Sequence, residues 1–352
     1  MSASSDEFER RPVPTEARRG WRSFIGMFAG EHAAGTEFMI GPLFVAHGVS
    51  AFDLLVGLLV GNLLAVLSWT FVTAPIATRY RLTLYYHLEK ICGRGLVSIY
   101  NVANGVLFCF LAGAMIAVSA TAVGIPFGLE MPGLDDWLPN GIGWIIAVVA
   151  VGAVITAVAV QGYEAVARFA NVAAPWMVLV FLACGLVSLP QLGVTSWDSF
   201  WTAANERIWT GVPIGGASKF GFWHVTFFAW FANMAMHIGM ADLSIFRYAR
   251  SWKMGLSSFT GMFVGHYMAW IAAALLYAVQ LNQDPTNTAV APGPMAYAAA
   301  GMAGALCVIV AGWTTANPTI YRAGLAFQTL FPTWSRAKVT LLAGGVATLG
   351  AC

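Results

Sequence analysis

The chain has 352 residues, of which 59% are hydrophobic and only 10% charged, with a mean hydropathy of +0.71. A soluble domain carries roughly 25% charged residues, so the composition excludes an ordinary soluble enzyme and predicts an all-α integral membrane protein. A net charge of +2, with no basic face interleaved with aromatics, gives no reason to expect a nucleic-acid partner.

Residues 1–19 are polar and Pro-containing and read as a mobile cytoplasmic tail; 20–352 read as a transmembrane domain. The start of the chain lacks the short apolar core and cleavage site of a signal peptide, so none is expected. Apolar runs of about 20 residues can cross a bilayer as helices. Nine are predicted, at 21–48, 53–76, 97–124, 141–161, 166–190, 219–245, 255–281, 295–321 and 337–352. Basic residues orient them. With the N-terminus inside, all of the 18 Lys and Arg except Arg207 and Lys219 fall on the cytoplasmic side, Arg247 and Arg322 among them. The outer loops carry Glu130, Asp135, Asp136, Asp198 and Asp284 instead. This is the positive-inside bias of a multi-pass inner-membrane protein. Cys92, Cys109, Cys184, Cys307 and Cys352 show no metal-ligand spacing, so neither a zinc site nor a disulfide framework is expected.

Two spans are not uniformly apolar. Span one contains Gly30-Glu31-His32-Ala33-Ala34-Gly35-Thr36-Glu37, and span six runs from Trp223-His224 through Trp230, Asn233 and His237 to Asp242. A charge at the bilayer centre costs about 2.5–3.5 kcal/mol on insertion scales, so such residues face a cavity or a partner. Neighbouring glycines let the helix unwind and expose its carbonyls and amides. The plainer alternatives are pairing of Glu31 and Glu37 with His32, His224 or His266, an interfacial place for His224 and Asp242, and simple solvation of His47 and Asp53. Spans one and six lie five apart and cross in opposite directions. Interrupted helices at matching places in two inverted halves point to the midplane site of a secondary transporter.

Span eight adds Trp313-Thr314-Thr315-Ala316-Asn317-Pro318-Thr319-Ile320-Tyr321-Arg322. Adjacent hydroxyls and freed carbonyls are hard oxygen donors suited to Na⁺, unless the threonines merely bond back one turn and bend the helix. Pro318 predicts a local opening there.

These segments resemble the nucleobase:cation symporter-1 family, the purine, cytosine, allantoin and hydantoin permeases. The eighth-span motif from Trp313 to Gln328 is the most specific match. Asp242-Leu-Ser-Ile-Phe-Arg247-Tyr-Ala-Arg250 after span six and the loop ending Cys92-Gly-Arg-Gly95 are weaker ones. The resemblance implies a leucine-transporter-type fold of two inverted five-helix repeats, here repeat one at about 21–190 and an incomplete repeat two at about 219–352, with truncation expected after the ninth helix. It also implies Na⁺ held by carbonyls near Gly30 and Ala33, the Ala311 carbonyl and the Thr314 and Thr315 hydroxyls. The solute would stack on Phe108 and Trp230, with Asn317 or Thr319 as polar partners. The family's third-helix Trp and Gln are matched here by Phe108 and Ala112, and its late eighth-helix Asn by Ile320. Glu37 and His237 offer charge instead, which suits a basic nitrogen.

The leading expectation is therefore import of a small planar nitrogen-containing solute (a nucleobase, hydantoin, allantoin or related compound) with Na⁺ or H⁺. No other cofactor and no obligate protein partner is expected; the partners are the solute and the lipid bilayer. An intramembrane enzyme and a non-transporting solute sensor are the alternatives.

Overall fold

The computed structural model describes residues 8–132, 138–236 and 241–352, with side chains for all of these except 233–236. Span one is two helices, α1 (Trp21–His32) and α2 (Glu37–Ala46). Span two is α3 (Ala51–Ser68), a π-helical turn at Trp69–Thr73 and α4 (Ala74–Tyr80). A short α5 (Leu84–Cys92) leads into α6 (Arg94–Val123), then α7 (Ile142–Val160) and α8 (Tyr163–Gln191). After α9 (Trp197–Ala203), span six comprises α10 (Phe222–Met236) and α11 (Leu243–Phe246). Span seven ends in α12 (Met268–Gln283) after a π-helical turn at Thr260–Tyr267. Spans eight and nine are α13 (Pro292–Gln328) and α14 (Arg336–Ala351).

Each expected span is helical, because a backbone in hydrocarbon must satisfy its own hydrogen bonds. Six helices among the described residues are long and apolar enough to cross a membrane, and Glu37–Ala46 and Phe222–Ala232 are shorter apolar helices. The chain is a multi-pass membrane protein.

The packing separates two groups of helices. In one, α3 lies on α10 and α2 on α12; in the other, α6 lies on α13 and α14, with α7 on α14. Spans one, two, six and seven thus form one group, and three, four, eight and nine the other. Advancing by five spans maps each group onto itself, as two five-helix repeats require. The break in span one falls between the groups. Ala33 leaves the helix at φ −94°, ψ 54°, and Gly35 lets the backbone pass close to α13: a Cβ there would stand 3.3 Å from the Gly312 nitrogen.

Two expectations change. Pro318 opens nothing: α13 runs through it, and the non-helical residues are Ala300 and Gly301, the latter at φ 57°. Proline removes one hydrogen bond, but packing on both sides holds the helix, whereas the left-handed conformation at Gly301 breaks it. Nor are residues 8–19 a free tail. Val13 is fully buried and its N–H donates to the Arg81 carbonyl at 2.9 Å. The Arg19 N–H donates to the Tyr248 carbonyl at 2.6 Å, and the Arg250 N–H to the Arg19 carbonyl at 3.1 Å. Paired backbone on both sides fixes this segment as a strap across one end of the bundle.

Candidate functional site

The break in span one supplies Glu31 and His32 from the end of α1, and Thr36, Glu37 and Ile40 from the start of α2. Together with residues of α6, α10, α13 and span seven they line a cavity of about 50 Å³, room for a few water molecules. Helical spacing explains the other walls. Phe108, Leu111 and Met115 share one face of α6, and Thr315, Thr319 and Arg322 one face of α13. His266 and Trp270, four apart, face inward from span seven.

Oxygen atoms gather where α1 ends against α13. The Thr315 hydroxyl donates to the Glu31 carbonyl at 2.8 Å and approaches the Ala311 carbonyl at 3.2 Å. The Thr314 hydroxyl donates to the Ala311 carbonyl at 3.0 Å. The back-bonding alternative for the two threonines is therefore real, and it coexists with a contact across the helix interface. Each hydroxyl keeps lone pairs for a cation. Gly30, expected to supply a carbonyl, packs on α8, where an added Cβ would meet Ala170 at 3.1 Å. Ala33 is buried at the break. The span-one carbonyl brought to Thr315 is that of Glu31, between them.

Charge is arranged in two clusters. Arg322 binds the Glu31 carboxylate with both terminal nitrogens, Nη2 at 3.1 Å, and reaches Asp242 Oδ1 at 2.5 Å. All three side chains are almost entirely buried. An interfacial place for Asp242 does not hold, and Arg322 is no solvated loop residue. It sits six residues before the end of α13, deep enough to answer two carboxylates. Arg247 is buried as well, donating to the Phe8 carbonyl at 2.8 Å and to the Tyr248 hydroxyl at 2.9 Å. In the second cluster Glu37 accepts from the Trp270 indole N–H, and its other oxygen lies 3.4 Å from His266 Nε2. This is one of the histidine pairings expected as the plainer alternative. His266 stacks on Trp270 at 4.5 Å between ring centres and meets His32 edge-on at 4.7 Å. The His32 Nδ1–H donates to the Phe28 carbonyl at 2.8 Å.

Of the expected solute residues, Glu37, Phe108 and Thr319 line the cavity. Thr319 also donates to the Thr315 carbonyl at 2.7 Å. Asn317 is fully buried but off the lining, since two residues turn a helix by about 200°. Trp230 is off it for the same reason: Ala232 faces the cavity, while Trp230 donates from its indole to Ser68 Oγ at 3.0 Å. His237 lies outside the described residues. Trp270 was not anticipated, because an apolar span offers no mark of which aromatic meets a carboxylate.

No protein-family model matches the chain, and no curated protein does. Solved structures do. A substrate-bound, outward-open Na⁺-coupled sialic acid symporter superposes with a TM-score of 0.72 at 14% identity, over 99% of this chain and 76% of that one. A nucleobase-cation-symport-1 family transporter, closed with bromovinylhydantoin bound, gives 0.74 at 14% identity, over 98% and 74%. MhsT in complex with L-phenylalanine gives 0.69 at 14%, over 94% and 78%. At such identities the likeness shows the fold, which is of the leucine-transporter type.

Proposed function

We propose that this protein is a secondary-active transporter that carries a small solute together with Na⁺, with its N-terminus and strap in the cytoplasm of a cell whose membrane it spans. One observation carries the reading: the Glu31 carbonyl, the Ala311 carbonyl and the Thr314 and Thr315 hydroxyls converge beside the break in span one, where Glu31 and Thr315 line the cavity. Carbonyls and hydroxyls are the neutral hard donors that a small cation replaces its hydration shell with. Donors from two separate helix groups would be drawn together by the ion, so ion binding favours one arrangement of the groups. A solute held between the same helices favours it too, and such coupling is reciprocal.

Once the two helix groups part, the walls of the cavity would offer a solute an apolar ring at Phe108 and polar atoms at Glu37, Thr36 and Thr319. The segments around Trp313 and Asp242 favour a nitrogen heterocycle of the kind the nucleobase:cation symporters take, although Ala112 and Ile320 stand where the resemblance places that family's amide partners. That the compared structures include symporters and a transporter favours transport over the enzyme alternative. Purified protein in vesicles tests the reading. Uptake of a solute that stabilises the protein should follow an imposed Na⁺ gradient and vanish when the gradient is collapsed. Uptake indifferent to Na⁺ would remove the ion from the scheme, and binding without uptake would support the sensor alternative.

A further inference from the structure

Away from the cavity, α1 forms one wall of a second space. Arg22, Ile25 and Ala29, three and four apart, share one side of α1, and Ala174 and Val178 share one side of α8. With Thr260 and Val264 of span seven they enclose a groove of about 510 Å³, within the range of small-molecule sites. Small residues at Gly26, Ala29 and Ala174 leave the room that larger side chains would fill. Ile25 and Val264 are exposed, so the groove opens at the side of the bundle, where hydrocarbon surrounds a membrane protein.

The interior of the groove asks for nothing polar. The Thr260 hydroxyl has the Ile25 carbonyl at 3.0 Å and the Ser257 carbonyl at 2.7 Å to donate to. The Asn171 amide donates to the Ala167 carbonyl at 2.7 Å. The mouth is different. Arg22 stands in the first turn of α1, on the end of the bundle that the strap crosses, and it is exposed. Its neighbours are engaged: Arg19 pairs with Glu164, and Arg18 reaches the Arg250 carbonyl at 3.5 Å. Among the described residues Arg22 has no such partner. A guanidinium presents its donors as a planar fork that matches a phosphate. From Arg22 to Ala29 the groove follows α1 for about 10 Å, at 1.5 Å per residue. An apolar cleft with an unpaired guanidinium at its surface end is complementary to an aliphatic tail with an anionic head. Basic sites between membrane helices take lipid head groups on the same grounds.

We propose that the groove seats one acyl chain of an anionic phospholipid from the leaflet on the strap's side, with its phosphate held by Arg22. The site depends on the chain spanning a membrane and not on what it carries. Since α1 is one wall and α8 and span seven are the others, a seated lipid also holds α1 in this arrangement.

Thermal stabilisation of the purified chain in maltoside micelles tests the site, with phosphatidylglycerol, phosphatidylcholine and glycerol 3-phosphate as probes. Phosphatidylglycerol should act at about five-fold lower concentration than phosphatidylcholine, and the free head group should not act at all. Arg22→Gln should erase the difference between the lipids. Arg94→Gln, at an exposed position outside the groove, should keep it. Val178→Phe, which puts a ring into the groove, should weaken both lipids. An equal response to the two lipids, a preference that survives Arg22→Gln or one lost as fully in Arg94→Gln would overturn the proposal. So would lipid binding unchanged by Val178→Phe, or stabilisation by glycerol 3-phosphate alone, which would mean an ion site without a tail. A dimer that neither lipid dissociates would overturn it too, a second copy of the chain then covering the groove. Arg22 is exposed and unpaired, so its replacement should leave the melting temperature without lipid unchanged; the order of the lipids in the unaltered protein decides where a variant fails to fold.

Discussion

Thr315 and Glu31 are 284 positions apart in the chain, and the hydroxyl of one donates to the main-chain carbonyl of the other at 2.8 Å. That bond crosses from one helix group to the other at the point where span one unwinds. Whatever occupies the neighbouring donors acts on both groups at once.

Thr315→Ala removes this bond and one oxygen donor. The Glu31 carbonyl loses a buried donor, which costs about 1–3 kcal/mol. The expected result is a lower melting temperature and a Na⁺ titration shifted upward about ten-fold or beyond. Thr315→Ser keeps the hydroxyl and should retain most of both. Equal Na⁺ responses in the Ala variant and the parent would count against an ion at this place.

Arg322→Met leaves the Glu31 and Asp242 carboxylates buried without their guanidinium. Removing one member of a buried ion cluster costs about 3–5 kcal/mol, which should show as a large fall in thermal stability in detergent. Adding Glu31→Gln to Arg322→Met should recover part of it, since one of the two stranded charges is then gone. A single variant no less stable than the parent would mean that the cluster is solvated.

Gly261 faces α1 so closely that a Cβ would lie 2.7 Å from His32 Nδ1 and 2.9 Å from the Phe28 carbonyl. Gly261→Ala must therefore push apart the turn that holds His32. Overpacking of this kind costs about 1–3 kcal/mol. Gly345→Ala in α14, where a Cβ meets nothing within 4 Å, should be neutral or stabilising by up to about 1 kcal/mol. Melting curves of the pair check the contrast.

Val13→Asp places a carboxylate where the strap is fully buried. The strap should release from Arg81 and Tyr248, and limited proteolysis should then cut between residues 8 and 19 well before the parent is cut. Unchanged protection would show that the strap is held by its backbone pairing alone.

Much of this was legible in the sequence. Long apolar runs give the spans, and carboxylates beside glycine at 30–37 mark the break in span one, because a charge at that depth needs an opening. Adjacent Thr314 and Thr315 are readable in the same way. The partners were not. Arg322 and Arg247 lie close to span ends, where counting basic residues assigns them to the cytoplasm; their burial depends on Glu31 and Asp242 for the one and on Phe8 and Tyr248 for the other, contacts that only folding creates. Trp230 and Asn317 were misplaced by helix phase, since a shift of two residues turns a side chain away from the cavity. The strap from Phe8 to Arg19 has the polarity and proline of a free tail, and its order comes from backbone groups that composition does not describe.

Glu31 answers to two neighbours through two different parts of itself. Its carbonyl meets Thr315, and its carboxylate meets Arg322. A mutation can exchange the carboxylate, but a main-chain oxygen has no codon of its own. A lineage could thus retune which molecules the cavity admits while inheriting the oxygen beside Thr315 unaltered, so that cargo preference drifts and the means of driving its movement persists.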